Sequence, residues 1–150
     1  VGPAYAPAYR KLAKVLERQD PYSSFVRYRG SVPYEELDKY TNTADGVIFA
    51  STCENLPIIL LEAMASGVPI ACSDYGPRPE VLRDAGVYFD PECVESLYKV
   101  MQRFLDDRDL RVKISALAYS YAQQYSWERC AKDTLEFLAG VGKKHGQKSA

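Results

Sequence analysis

The fold is decided by residues 46–72, which read GVIFASTCENLPIILLEAMASGVPIAC. Gly46–Ala50 is a continuous apolar run of strand length, which predicts a fully buried central strand. A polar connection follows, then a predicted helix over Ile58–Ser66 that ends at Gly67, and then a second buried strand over Pro69–Cys72. Strand, helix and strand in this order form a βαβ unit, which implies a parallel sheet with a right-handed crossover.

The alternation of helices and strands continues on both sides of this unit. Upstream, the patterns predict a helix over Ala4–Gln19 with Leu12, Val15 and Leu16 on one face, a strand over Phe25–Arg29 and a helix over Pro33–Tyr40. Downstream, they predict a loop over Asp74–Pro79, a short helix over Glu80–Asp84 and a strand over Val87–Phe89.

Three amphipathic helices are predicted after Glu92, and their apolar stripes indicate core packing. The stripes comprise Leu97, Val100, Met101, Phe104 and Leu105, then Ile114, Leu117, Ala118 and Tyr121, then Trp127, Cys130, Ala131, Thr134, Leu135 and Leu138. Ser126 is the expected N-cap of the last helix, and Gly140 and Gly142 are its expected stops. The fold class is therefore α/β, a Rossmann-like doubly wound parallel sheet with a helical C-terminal end.

The composition of the chain excludes several classes of function. The chain has 150 residues, of which 47% are apolar, which suits a single domain. Its 19 basic and 20 acidic side chains give no basic excess, so nucleic acid is not an expected partner. The longest apolar run, Leu56–Leu61, is interrupted by Pro57 and is far shorter than the ~20 residues of a membrane span.

Cysteine and histidine usage argues against a metal centre. Four cysteines, at positions 53, 72, 93 and 130, form no CxxC pair, and the one histidine, His145, lies in a polar tail. We therefore expect no zinc site and no disulfide framework, but buried reduced thiols in a cytosolic protein. His145 is given no catalytic role.

In an open parallel sheet, ligands bind beyond the carboxyl ends of the strands. The loops to inspect are therefore 29–34, 51–57 and 73–79. They contain neither a GxGxxG fingerprint nor a P-loop. A helix beginning near Leu56 would offer free N–H groups and a positive dipole end to a phosphate, as any helix start does.

Two carboxylates flank that helix start, Glu54 in the loop and Glu62 on the helix. A rise of about 1.5 Å per residue puts Glu62 roughly 9 Å along the axis from Leu56, which suits a ligand as long as a nucleoside diphosphate sugar. The alternative is that Glu54 caps the helix and Glu62 is a solvated surface residue. The spacing alone favours this alternative, because two glutamates eight residues apart are common by chance.

The residues around Glu54 and Glu62 resemble a signature of a known protein family. Residues 54–70, ENLPIILLEAMASGVPI, closely resemble the E-x7-E signature of the nucleotide-sugar-dependent glycosyltransferases of family 4, which have the two-domain GT-B fold. The resemblance extends to segments 26–32, 44–51, 73–80 and 125–127, and so covers nearly the whole chain. It implies that the chain is the C-terminal, donor-binding half of a GT-B enzyme.

The resemblance also implies site roles. Glu54 would contact donor-sugar hydroxyls and orient the sugar, as the catalytic residue, and Glu62 would hold the ribose hydroxyls. The backbone amides of Asn55, Leu56 and Ile58 would bind the diphosphate, and Val32 would lie against the base. Family transfer is retaining and usually needs no bound metal, so neither a metal nor another cofactor is expected beyond the nucleotide-sugar donor substrate.

Two features depart from the family pattern. Many relatives have glycines where this chain has Asn55-Leu56-Pro57. The Arg and Lys that neutralise the diphosphate, together with the acceptor-binding N-terminal domain, would precede Val1. We therefore interpret residues 1–150 as a donor-binding domain truncated at its N-terminal edge, with Val1-Gly2 as the tail of a cut strand. Two interpretations stay open for Arg78, a side chain that faces the substrate and a surface arginine, and the surface arginine is favoured.

The sequence thus predicts a retaining glycosyltransferase that moves a sugar to a glycan, lipid-linked or small-molecule acceptor, and a fragment that is inactive alone. Two alternatives stay open: a GT-B nucleotide-sugar epimerase, or a noncatalytic nucleotide-binding module that acts with a partner chain. A Rossmann oxidoreductase is disfavoured because the glycine fingerprint is missing. We expect a cytoplasmic protein, whose peripheral membrane contact would be encoded mainly in the missing half.

Overall fold

The computed structural model describes residues 5–146, so the predictions for Val1-Gly2 lie outside the described residues, as does the side chain of His145. The helices are α1 (Ala6–Gln19), α2 (Leu37–Asn42), α3 (Ile58–Ala65), α4 (Arg78–Leu82), α5 (Val94–Asp106), α6 (Arg108–Ala122) and α7 (Trp127–Gly146), and a 3₁₀ turn spans Tyr34–Glu36. The strands are β1 (Val47–Phe49), β2 (Ile70–Ser73) and β3 (Val87–Phe89). The chain divides into two units, one ending at Tyr40 and one beginning at Thr41.

The first unit contains α1 and an irregular segment after it. The predicted strand over Phe25–Arg29 is wrong, because these residues pair with no other strand in the described chain. Two of their N–H groups, those of Phe25 and Val26, are used locally instead, together with that of the preceding Ser24. The Asp20 carboxylate accepts hydrogen bonds from the backbone N–H groups of Ser24 at 2.7 Å, Phe25 at 3.1 Å and Val26 at 2.7 Å.

The second unit contains a parallel sheet in the order β1-β2-β3. Ile48 is opposite Ala71, and Cys72 is opposite Tyr88. The predicted βαβ unit is confirmed, but β2, buried at every residue, is the central strand. The prediction of a fully buried central strand for Gly46–Ala50 is wrong, since β1 is at the edge of the described sheet and Ile48 is 43% exposed.

Helices cover both faces of this sheet. Ile70 and Cys72 point to the face that carries α3, α4 and α6, where Leu60, Met64, Leu82 and Ala118 are buried. Ala71 points to the other face, where it packs with Phe89 and with Val100 of α5. Because successive strand residues point to opposite faces, the apolar run of β2 serves two cores, and the doubly wound arrangement is confirmed.

The three C-terminal helices are confirmed, and their burial differs. In α6, Ile114 and Ala118 are buried as predicted. In α5, Val100 is buried, but Leu105 is 80% exposed. The predicted burial of the α7 stripe is wrong in this chain, because all of its residues are exposed. The predicted helix stops are also wrong, since α7 continues through Gly140 and Gly142 to Gly146.

Two further expectations concern thiols and membranes. All four cysteines are free, but only Cys72 is buried, so the expectation of buried thiols is wrong for Cys53, Cys93 and Cys130. Across residues 5–146, no helix combines the length and the hydropathy needed to cross a bilayer.

Candidate functional site

The loop that joins β1 to α3, residues 50–57, holds the first predicted acid. Glu54 is half-buried, and its Oε1 accepts a hydrogen bond of 2.9 Å from the Ser51 hydroxyl. The backbone N–H of Cys53 donates to the same Ser51 oxygen at 3.4 Å. Ser51 therefore holds the Glu54 carboxylate against its own loop.

A second serine ties this loop to the sheet. Ser73, the last residue of β2, is fully buried, and its hydroxyl donates to the Ser51 carbonyl oxygen at 2.7 Å. Because β1 and β2 are parallel neighbours, their carboxyl ends lie side by side. The hydrogen bond joins the loops that leave those two ends, 50–57 and 74–77.

Helix α3 begins without a side-chain cap, because its N-cap residue is Pro57. Within the described chain, the N–H groups of Asn55 and Leu56 donate to no acceptor. The N–H of Ile58 differs, since it donates to the Leu56 carbonyl at 2.9 Å. Two of the three amides expected to bind a diphosphate therefore have no acceptor among the described residues, and the Ile58 amide already has one.

Glu62 lies on a groove of about 520 Å³ between α3 and the start of α7. Helix α3 begins at Ile58, two residues later than the expected start near Leu56, so its first residue and Glu62 are separated by about 6 Å along the axis. The groove is lined mostly by apolar side chains, with four charged ones: Glu62, Arg83, Arg129 and Asp133. Its volume falls in the range of small-molecule sites.

Arg83 on this groove is held by its neighbours. Its guanidinium lies over the Tyr121 ring, 5.0 Å from the ring centroid. The Tyr121 hydroxyl donates to Asp84 Oδ1 at 2.7 Å, and this hydrogen bond holds the pKa of Asp84 below its ordinary value. Arg83 also has a positive φ of 53°, a strained conformation for a residue with a side chain.

Val32 lies in the first unit, in the irregular segment before the 3₁₀ turn, and is half-buried. The other five predicted site residues, Glu54, Asn55, Leu56, Ile58 and Glu62, belong to the second unit and lie in or after one loop. The structure thus brings five of the six into one segment.

Arg78 departs most from expectation. It was predicted on the surface, yet it is fully buried as the first residue of α4. Its backbone begins the helix between Pro77 and Pro79, and its side chain is enclosed by the protein. Burial raises the pKa of the nearby Cys72 thiol to about 12, although the positive charge of Arg78 opposes this rise.

Comparison with known protein families matches residues 8–121 to the glycosyl transferases group 1. The chain belongs to this family. The match includes the loop of Glu54, helix α3 with Glu62 and the turn before Arg78.

Two relatives of the chain are named as mannosyltransferases. The chain is 35% identical over 111 residues to O-antigen chain mannosyltransferase B of Escherichia coli, covering 74% of this chain and 29% of that protein. It is 30% identical over 151 residues to the GDP-mannose-dependent alpha-(1-6)-phosphatidylinositol monomannoside mannosyltransferase of Mycobacterium tuberculosis, covering 93% of this chain and 38% of that protein. The chain thus spans about a third of the length of these curated relatives.

Solved structures share the fold. HepE of Anabaena, in complex with UDP and glucose, matches with a TM-score of 0.82 at 19% identity, over 93% of this chain and 39% of that one. Sucrose-phosphate synthase of Thermosynechococcus elongatus matches with a TM-score of 0.77 at 21% identity, over 91% and 35%. The α/β class of the GT-B type, predicted from the sequence, is confirmed.

Sequence reasoning gave no role to two serines of this region, Ser51 and Ser73, and did not predict that Arg78 is buried. A serine three residues before an acid in a loop can donate to it, and this spacing was the available signal for Ser51. Nothing in the pattern indicated that Arg78 is buried. Among residues 5–146, no group of three His, Cys, Asp or Glu side chains could hold a metal ion.

Proposed function

We propose that this chain is the donor-binding part of a retaining glycosyltransferase, which moves a sugar from a nucleoside diphosphate sugar to an acceptor hydroxyl. The proposal rests mainly on one arrangement. Glu54 is fixed beside the uncapped start of α3. Glu62 belongs to α3 itself and lines a groove of about 520 Å³. Membership of the glycosyl transferases group 1 supports it.

The start of α3 supplies the electrostatics for a diphosphate. Helix N-termini carry a partial positive charge and unpaired N–H groups, which bind and stabilise anions. The amides of Asn55 and Leu56 would donate to the diphosphate. Stabilising the negative charge that develops on the departing diphosphate lowers the barrier to transfer, and this contribution requires no metal ion.

The two acids orient the rest of the donor. Glu54 would accept hydrogen bonds from sugar hydroxyls, and Glu62 from the ribose hydroxyls, while Val32 would contact the base. In the transfer, the bond between the anomeric carbon and the diphosphate oxygen breaks and a bond to the acceptor oxygen forms on the same face. The acceptor proton leaves with the diphosphate, so the charge balances. Because the new bond forms on the face that the diphosphate leaves, the anomeric configuration is retained.

The remaining parts of the protein belong to the same proposal. An N-terminal domain would bind the acceptor and supply the Arg and Lys that neutralise the diphosphate. One of the relatives named above is a phosphatidylinositol monomannoside mannosyltransferase, and we infer a lipid-linked acceptor of this kind. A cytoplasmic enzyme with such an acceptor would contact the membrane surface through that domain.

Titration calorimetry of the full-length protein with UDP, GDP and ADP tests the donor site. We expect one of the three to bind, and Glu62→Ala to weaken that binding about ten- to a hundredfold, because two hydroxyls lose a charged acceptor. Glu92→Ala removes an exposed carboxylate elsewhere in the chain and serves as the control. A folded wild-type protein that binds none of the three at millimolar concentration would rule out the proposal.

A further inference from the structure

Arg78 is a buried cation without an acceptor. Its side chain is fully buried, and Nε, Nη1 and Nη2 have no hydrogen-bond partner in the described part of the chain. An ionised guanidinium has five N–H donors, and burying it unpaired costs free energy that folding must offset. Buried polar groups in native proteins are almost always paired, so this side chain requires an explanation.

The guanidinium lies beneath one short turn. Residues 74–77 connect β2 to α4, and the position that a Cβ on Gly76 would occupy is 3.6 Å from Arg78 Nη2. The turn itself is open to solvent, since Asp74, Tyr75 and Gly76 are all exposed. Arg78 is therefore separated from solvent by a thin and exposed segment on this side.

The same turn adjoins the loop of Glu54. The hydrogen bond between the Ser73 hydroxyl and the Ser51 carbonyl, 2.7 Å long, joins the two segments at the carboxyl edge of the sheet. Neither loop 50–57 nor turn 74–77 contains a lysine or an arginine. Arg78 follows the turn directly, so it is the cationic residue nearest to these two loops along the chain.

We propose that Arg78 is an anion-binding residue that pairs with a phosphoryl group at the carboxyl edge of the sheet. The planar guanidinium matches the oxygens of a phosphoryl group with two parallel hydrogen bonds. Contact requires turn 74–77 or the Arg78 side chain to move. The inference rests on the proposed donor function for its source of phosphate, the donor diphosphate, with free phosphate as the other source of the same chemistry.

Calorimetry on the full-length protein compares wild type with Arg78→Met, which keeps an unbranched side chain and removes the charge. The probes are the tightest-binding of UDP, GDP and ADP, its matching nucleoside, and inorganic phosphate. We expect Arg78→Met to weaken binding of the diphosphate at least tenfold and to leave the nucleoside affinity unchanged. Arg78→Lys keeps a point charge and is expected to lose less. Arg108→Met, at an exposed position, is the control.

Thermal unfolding is a second test, in which the same variant should gain stability although it loses affinity. Without added ligand, Arg78→Met should unfold at a higher temperature than wild type, since an unpaired buried charge is removed. Loss of diphosphate affinity assigns the donor as the phosphate source, and loss of phosphate binding alone assigns free phosphate. If Arg78→Met binds both anions as tightly as wild type, the inference is overturned. It is also overturned if Arg78→Met unfolds at a lower temperature than wild type, because another part of the protein would then already pair with Arg78.

The outcomes separate this inference from the donor function. If wild type binds a nucleoside diphosphate and Glu62→Ala weakens that binding while Arg78→Met does not, the inference about Arg78 fails and the donor function stands. If no nucleotide binds wild type but phosphate binds and is lost in Arg78→Met, the donor function fails and the anion site stands.

Discussion

The buried hydroxyl of Ser73 donates a 2.7 Å hydrogen bond to the carbonyl oxygen of Ser51, which is 22 residues earlier in the chain. Ser51 in turn donates its own hydroxyl to Glu54 at 2.9 Å. The Glu54 carboxylate is thereby connected to the central strand through two hydrogen bonds. An acid positioned by a buried strand rather than by its loop alone keeps its geometry while the loop contacts a ligand.

Ser51→Ala removes the donor that holds Glu54. We expect sugar transfer by the full-length enzyme to slow about tenfold, because a hydrogen bond to a charged group is worth about 1.5–3 kcal/mol. Nucleoside diphosphate affinity should stay unchanged, since the amides at the start of α3 are intact. Steady-state rates and calorimetry measure the two effects. Thr52→Ala, at the exposed neighbouring residue, is the control, and equal losses in both variants would contradict the positioning role.

Ser73→Ala tests the link to the strand. The substitution leaves the part-buried Ser51 carbonyl without its donor, which should lower the free energy of unfolding by about 1–2 kcal/mol. Urea denaturation measures the change. Ser120→Ala, on the exposed side of α6, should change stability little. A Ser73→Ala variant as stable as the control would show that the hydrogen bond contributes nothing.

The sequence predicted β2, β3 and α3 nearly to the residue, because Gly67 and the apolar runs on either side of it mark these elements strongly. It failed for Phe25–Arg29, whose strand-like pattern has no pairing partner in the described chain. The N–H groups of Phe25 and Val26 donate to the Asp20 carboxylate instead. In the candidate site, the two acids were predicted from a signature in the sequence. Arg78 was not, because residue type predicts an exposed arginine and only tertiary packing buries it.

Replacing glycine by alanine should have opposite effects on stability at Gly86 and at Gly140. A Cβ on Gly86 would lie 2.9 Å from the Ile70 carbonyl oxygen and would also contact Leu82 Cδ2, so Gly86→Ala should destabilise the chain by about 1–3 kcal/mol. A Cβ on Gly140 meets nothing within 4 Å. Since Gly140 lies inside α7, Gly140→Ala should stabilise by about 0.5–1 kcal/mol. Denaturant unfolding of both variants checks the signs, and a stabilising Gly86→Ala would contradict the packing.

Thiol reactivity should separate Cys72 from Cys53. Cys72 is fully buried and burial raises its pKa to about 12, so it holds almost no thiolate near neutral pH. Cys53 is exposed in the loop beside Glu54. Brief treatment with iodoacetamide followed by peptide mapping should label Cys53 and leave Cys72 unmodified until the protein is unfolded in urea. Labelling of Cys72 in the folded protein at the rate of Cys53 would contradict its burial.

The carboxylate of Asp20 should make the first unit sensitive to acid. Burial alone would raise its pKa, but hydrogen bonds from the N–H groups of Val26, Ser24 and Phe25 hold the pKa below the ordinary 3.8. A depressed pKa contributes stability that is present above the unfolded value and is lost as the pH falls through the folded value. Asp20→Asn, which turns a donating amide toward these donors, should therefore destabilise the segment at neutral pH and match wild type once Asp20 is protonated.

Amide hydrogen exchange of Ser24, Phe25 and Val26 measures this destabilisation at the segment itself. At neutral pH, exchange should be faster in Asp20→Asn than in wild type, because the three N–H groups lose their charged acceptor. The difference should shrink as the pH is lowered below 3.8, the ordinary pKa of the carboxylate. Asp106→Asn makes the same chemical change at an exposed position and should alter none of the three rates. A difference between Asp20→Asn and wild type that does not change with pH would show that the charge of Asp20 does not organise this segment.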